Sequence, residues 1–268
     1  MATEVKAAVD HPLDPLTPAE IDDARSILES ERDVDDASRY VKIVLDEPSK
    51  AERREESVER RAFVILRDPV EKTTYEVVVS LDESTVVSWE NVEGVQPSIT
   101  LEEFDACEEA VKAHEEWREA VAKRGVENFD LAIVDPWSAG HQLVPEGIDT
   151  DRRLAHGMTW IRTSEEDNGY ARPIDGVHTW VDLDHLDDME VVEVIDNGVK
   201  ESNVVENLEA APYRAEDRDL RTDLKPYNVD QPEGPSWSIE GRKVEWQNWH
   251  LRVGWTQREG LQARSEER

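Results

Sequence analysis

A single cysteine, Cys107, occurs in the 268 residues, so no disulfide can form within the chain and nothing in it points to an oxidising compartment. No run approaches the roughly 18 apolar residues that a membrane-spanning helix needs. The N-terminus, MATEVKAAVDHPLDP, lacks the charged segment and apolar run of a secretory signal. The expectation is a soluble, cytoplasmic protein with no membrane partner. Positive charge is scarce too: 31 Lys and Arg face 63 Asp and Glu, for a net charge of −32. A chain this short of basic residues lacks the face that phosphate neutralisation demands, which excludes nucleic acid as a partner. There is no GxGxxG, no P-loop and no GxSxG, so nucleotide and serine-hydrolase chemistry have nothing to stand on.

What the chain has in abundance is acid. The carboxylates are spread through both halves rather than gathered into a tail. That distribution favours a surface adapted to high salt, where repulsion is screened, over a patch made for a basic partner.

The remaining order is legible from local signals. Thr17-Pro18-Ala19-Glu20 is a helix start, with a capping threonine, proline at the first helical position and the glutamate of a capping box. Ile21, Ala24, Ile27 and Leu28 then share one helical face. Strand-like runs follow at 40–45, 61–67, 75–81 and 85–92, rich in Val, Ile, Tyr and Thr and separated by turn residues. The same plan then recurs. Thr100-Leu101-Glu102-Glu103 is a second capping box, and Phe104, Cys107, Val111, His114, Trp117 and Val121 trace one helical stripe to Gly125. Strands are expected at 130–135, 153–162, 177–183 and 190–195. The chain thus predicts an α+β fold built as a helix plus four strands, twice, in units of about 90 residues.

Residues 200–230 are polar and aperiodic, too long a stretch for a loop within one compact domain, and read as a connector. From Gln231 to Gly260 two aromatic-rich runs appear, the first with Trp237 and Ile239. The second, after a Gly241-Arg242-Lys243 turn, holds Trp246, Trp249, Leu251, Val253 and Trp255. Such strands need a partner sheet to cover them. Only eight residues follow Gly260, nearly all charged or small, so this piece reads as a domain that starts and is cut short.

Five landmarks lie in order along the chain: HPLDPLTPAEI (11–21), DPWSAG (135–140), YARPIDG (170–176), VIDNGV (194–199) and QPEGPSW (231–237). Together they resemble the copper/topaquinone primary-amine oxidases. The resemblance implies an N2-like domain over 1–96 and an N3-like domain over 97–200, both of cystatin-like shape, a connector over 201–230, and the truncated start of the catalytic β-sandwich over 231–268. Family members use copper and a tyrosine-derived quinone to oxidise primary amines to aldehydes, with release of ammonia and hydrogen peroxide, and act as homodimers. Their copper ligands include a His-x-His pair and a distant third His, since Cu(II) suits imidazole. None of the seven histidines here (11, 114, 141, 156, 178, 185 and 250) forms such a pair, and no Asn-Tyr dipeptide marks a quinone precursor. The expectation is therefore the N-terminal portion of such an oxidase. It holds no catalytic residue and no metal or cofactor of its own, and is active at most with a separate catalytic polypeptide. By the same resemblance, Phe104, Pro136 and Trp137 would line the entrance of the channel by which the amine arrives. The alternative is a free-standing acidic binding module of two cystatin-like domains.

Two other constellations fail on spacing. His114-Glu115-Glu116-Trp117 lacks the second histidine of a zincin helix. The cluster of Asp182, Asp184, Asp187, Asp188 and Glu190 has no central glycine and places Leu186 at a ligand position, which rules out an EF-hand loop.

Overall fold

A computed structural model describes residues 11–55, 57–140, 144–208, 219–256 and 258–265. The N-terminal decapeptide, His141, the middle of the expected connector with Pro212, and the last three residues of the tail lie outside the described residues.

The first region opens with helix α1 (Pro18–Glu31). Thr17 Oγ1 accepts the Glu20 N–H at 3.2 Å while Glu20 Oε2 accepts the Thr17 N–H at 2.7 Å, so two of the otherwise orphaned amides are satisfied reciprocally. Strands β1 (Arg39–Leu45), β2 (Arg61–Asp68), β3 (Thr73–Ser80) and β4 (Thr85–Asn91) follow as an antiparallel meander in chain order. The α1 stripe buries Ala24 and Leu28 against Ala62, Val64, Leu66, Val77 and Val79, which alternate inward along β2 and β3. Each buried Val or Leu among them contributes about 1.5–3 kcal/mol.

The second region repeats the arrangement with β5 (Ala132–Ser138), β6 (Leu154–Ile161), β7 (Val177–Asp182) and β8 (Glu190–Asp196), again a meander in chain order. Its helix is not the single one expected. Helix α2 (Leu101–Ala113) ends and α3 (Glu115–Ala122) begins at His114, whose backbone is extended (φ −74°, ψ 127°). A straight helix would carry the His114 imidazole on the core-facing stripe. The break removes it from the helix while Trp117, Ala120 and Val121 still join Cys107 and Val111 in one core. The indole N–H of Trp117 donates to Thr159 Oγ1 at 3.1 Å, which makes a fully buried tryptophan tolerable. Strand β5 starts later than expected because Phe129–Leu131 forms a 3-10 turn capped by the Asn128 side chain.

Within the stretch expected to begin a connector, Glu201–Asn203 and Val205–Asn207 form 3-10 turns. Val205 and Leu208 rest on the second core.

The third sheet departs most from expectation. The second tryptophan run is two strands, because Gln247 (φ 53°) turns the chain between β10 (Lys243–Trp246) and β11 (Trp249–Thr256). The polar tail, expected to break the pattern, supplies β12 (Gly260–Ser265), paired along β11 from Thr256↔Gly260 to Leu251↔Ser265. With β9 (Trp237–Glu240) the order is β12-β11-β10-β9. Backbone pairing, not side-chain character, recruits that last strand. Residues up to Val95 and those from Lys225 onward form one compact unit, and Gln96–Leu224 the other. Within the first unit, Arg252 makes a two-pronged bond to Asp14 at 2.9 and 3.0 Å. No described helix is long and apolar enough to cross a membrane.

Candidate functional site

The two segments DPWSAG and YARPIDG, distant in sequence, meet in space. The Tyr170 hydroxyl donates to Asp135 Oδ2 at 2.8 Å, and Tyr170 packs edge-on against Trp160 with ring centroids 5.3 Å apart. The bond to the Asp135 carboxylate raises the Tyr170 hydroxyl above its ordinary pKa, and burial adds to this. Strand β5 is an edge strand, and its position is secured from the helix side. Glu108 of α2 accepts the Val134 N–H at 3.1 Å and pairs with Lys112 at 2.6 Å.

Alternation along β5 sends neighbouring side chains to opposite faces. Ala132, Val134 and Pro136 are buried on the side that α2 covers, and Trp137 points to the other face, 57% exposed. Phe104 on α2 is half-buried and belongs to neither the core cluster nor the residues packed against it. The structure therefore places Phe104 and Pro136 on the helix side of the sheet and Trp137 on the outer side.

That outer face holds residues the sequence reading did not connect. Trp137 is the register partner of His156 on β6, and His156 that of Trp180 on β7. His156 stacks on Trp180 (5.0 Å, 18°) and on His178 (5.1 Å, 30°), and its Nε2 lies 3.0 Å from His178 Nδ1. Burial, with help from the neighbouring imidazole, lowers the His156 pKa, so this ring is neutral at pH 7. Trp180 is 3% exposed, packed with Ala139 and Leu154, and its Nε1 has no hydrogen-bond partner among the described residues. A period-two reading could have put His156 and His178 on the same face. Their mutual reach depends on register, which the sequence does not state.

Buried arginines were missed as well. Arg124, with a fully buried side chain, donates to the carbonyls of Ala120, Asp175, Gly176 and Gly198 and to Asp196 Oδ1 at 2.8 Å. It thereby ties the end of α3 to both the YARPIDG and VIDNGV segments. The bond to Arg124 holds the Asp196 carboxyl below its usual range. Arg152 pairs with Asp182 and Glu190, so the acidic cluster is partly neutralised from within. Cys107 is buried and its thiol is pushed up to about 12 by burial, which leaves it unreactive. Among the described residues, no group of three or more His, Cys, Asp or Glu could hold a metal ion.

Comparison with known proteins agrees with this layout. Residues 17–89 match the AGAO-like N2 domain, and residues 102–214 match the family described as "Copper amine oxidase, N3 domain". A primary amine oxidase of Arthrobacter sp. (strain P1) is 37% identical over 262 residues, which cover 97% of this chain and 39% of that protein. The copper-containing diamine oxidase 1, peroxisomal, of Nicotiana tabacum is 32% identical over 301 residues, covering 96% of this chain and 37% of the relative. A copper-containing benzylamine oxidase from Hansenula polymorpha superposes with a TM-score of 0.71 at 21% identity, over 94% of this chain and 41% of that one, a likeness of fold. The chain thus spans under two fifths of the length of these curated relatives.

Proposed function

Since this chain belongs to the copper amine oxidase family, of which it carries the N2 and N3 domains, we propose that it serves as the N-terminal portion of a primary-amine oxidase. In that reading the complete enzyme converts a primary amine, oxygen and water to an aldehyde, ammonia and hydrogen peroxide. The observation that carries it is the succession of both family domains in the right order along the chain, within relatives matched over 97% of it. The accompanying bounds are an N2-like domain over 1–96, an N3-like domain over 97–200, a connector over 201–230 and the start of the catalytic sandwich from 231.

Copper and topaquinone do not fit the residues in hand. A copper centre of this kind needs three convergent imidazoles, and no described cluster of three ligands exists. No chemical step is therefore assigned to these side chains, and the cofactors belong to another part of the enzyme.

What this chain contributes is shape. Trp137 offers a broad aromatic surface at the end of an edge strand, and the Tyr170–Asp135 bond anchors the strand just before it. We read Trp137, with Pro136 and Phe104 behind it, as part of the wall that meets the apolar tail of an incoming amine. A contribution to assembly as a homodimer rests on the third sheet. There Trp237, Trp246, Trp249 and Trp255 remain 44–57% exposed, and Gly254 is the only buried residue among those described.

The test is reconstitution. The purified chain is assayed for copper, quinone and amine-dependent peroxide, alone and together with a polypeptide carrying the family's catalytic domain. Peroxide only in the combined sample is the expected result. A quinone stain and amine-dependent peroxide from the chain alone would overturn the assignment.

A further inference from the structure

The pair His156 and His178 supports an inference that does not depend on the amine reaction. The two imidazoles sit diagonally across the β6–β7 ladder, with His156 Nε2 and His178 Nδ1 3.0 Å apart. Two nitrogens bound to one metal ion at about 2.0–2.1 Å lie about 2.8–3.4 Å from each other, as the angle at the metal opens from square to tetrahedral. We propose that these two nitrogens form a site for a divalent, imidazole-seeking cation, Cu(II) ahead of Zn(II), with water completing the coordination shell.

Three features make the pair more than a chance approach. His156 is held in place before any ion arrives, because it is stacked on the buried indole of Trp180. Preorganisation of this kind removes the ordering cost that weakens most surface histidine pairs. Both histidines are only half-buried, so an ion and its waters reach them from solvent. A change of tautomer frees the facing nitrogens. In the metal-free state the facing nitrogens share one hydrogen bond. On binding, the ring that donated it moves its proton to the nitrogen turned away, and both facing lone pairs become available.

The order of affinities follows from the donors: two imidazoles and water suit Cu(II) best among divalent first-row ions. With only two protein ligands, this is a different kind of site from a three-imidazole copper centre.

Titration of Cu(II) chloride into the whole chain tests the proposal, read by calorimetry and electron paramagnetic resonance for the wild type, His156→Gln, His178→Gln and the double variant. One tight Cu(II) per chain with hyperfine coupling to two imidazole nitrogens is expected. Each single variant should weaken that phase about 10²-fold, because a tethered second ligand is lost. Unchanged affinity in the double variant would overturn the proposal. Should a variant unfold, nuclear magnetic resonance of the imidazole nitrogens in the unaltered chain, titrated with Zn(II) chloride, decides. Shifts confined to histidines other than 156 and 178 refute the site, and shifts at both support it.

Discussion

Residues 17–91 and 100–196 solve the same problem with the same parts, and the difference between them is depth. In each, the glutamate of the capping box is gripped by an arginine that directly precedes the second strand: Arg60 before β2 and Arg153 before β6. Arg60 binds both oxygens of Glu20 (2.8 and 3.2 Å) and the carbonyls of Pro12 and Pro15. Arg153 binds both oxygens of Glu103 (2.7 and 2.8 Å) and the carbonyls of Pro97 and Ser98. Even the arginine carbonyls match, accepting the N–H groups of Leu81 and Leu183. Each lock fastens the start of a helix, the chain leading to it and a central strand. Yet the first pair keeps side-chain exposures of 11% and 6%, whereas the second is at 1% and 1%. A device repeated in two settings shows what burial adds to a fixed set of hydrogen bonds.

The sharpest way to break the comparison is to remove the arginines. Arg153→Ala leaves the Glu103 carboxylate stranded in the core and should cost about 3–5 kcal/mol. Arg60→Ala, where solvent still reaches the carboxylate, should cost about 1.5–3 kcal/mol. Urea unfolding followed by hydrogen exchange at β2 and β6 reads the two separately, and equal losses would show that depth is irrelevant here.

The strands themselves offer the next test. Four residues after each arginine stand Val64, buried in the first core, and Gly157. A Cβ on Gly157 would lie 2.2 Å from Thr179 Oγ1 and 3.2 Å from Val134 Cγ1. Gly157→Ala should therefore destabilise the second region by about 1–3 kcal/mol through overpacking, with part of the loss recovered by adding Thr179→Ala. Thermal unfolding of the single and double variants checks this.

A smaller effect is set by pH. Burial on its own would raise the Glu20 pKa, but the Arg60 hydrogen bond, the Thr17 N–H and the Arg60 charge together carry it below its ordinary value of 4.5. A carboxyl lowered in the folded state stabilises above its unfolded pKa and loses that contribution as pH falls through the folded one. The first region should thus weaken below about pH 4.5, and Glu20→Gln should flatten that slope while lowering stability at pH 7. Denaturant midpoints at pH 7, 5 and 3 measure it; an unchanged slope would mean that Glu20 does not carry it.

The smallest effect on folding belongs to the proposed channel wall. Trp137→Ala, at an exposed position, should move stability by no more than about 0.5 kcal/mol. In the reconstituted oxidase it should raise KM for amines with bulky apolar tails more than for short ones. A uniform change across amines would argue against a wall that reads the tail.

Much of the fold could be read in advance because its signals are local. The capping boxes at Thr17 and Thr100 each span four residues, and the strands of the two meanders declare themselves by alternation. The break at His114 was hidden because the apolar spacing continues through it. Strand β12 was hidden because a polar edge strand shows little beyond its pairing. Of the candidate site, the sequence offered Phe104, Pro136 and Trp137 by family likeness, and alternation on β5 then divided them between two faces.

The sequence by itself determined the duplicated α+β plan, the acidic surface and the family, since each depends on composition, spacing within a turn, or ordered short motifs. Only the tertiary structure decided which side chains meet. The locks at Arg60 and Arg153 join residues 40 and 50 positions apart, and Tyr170 reaches Asp135 across 35. His156 meets His178 across 22, and Arg124 reaches Gly198 across 74. Such contacts arise from strand register and from the requirement that every buried charge find a partner, and neither is written in any stretch a few residues long.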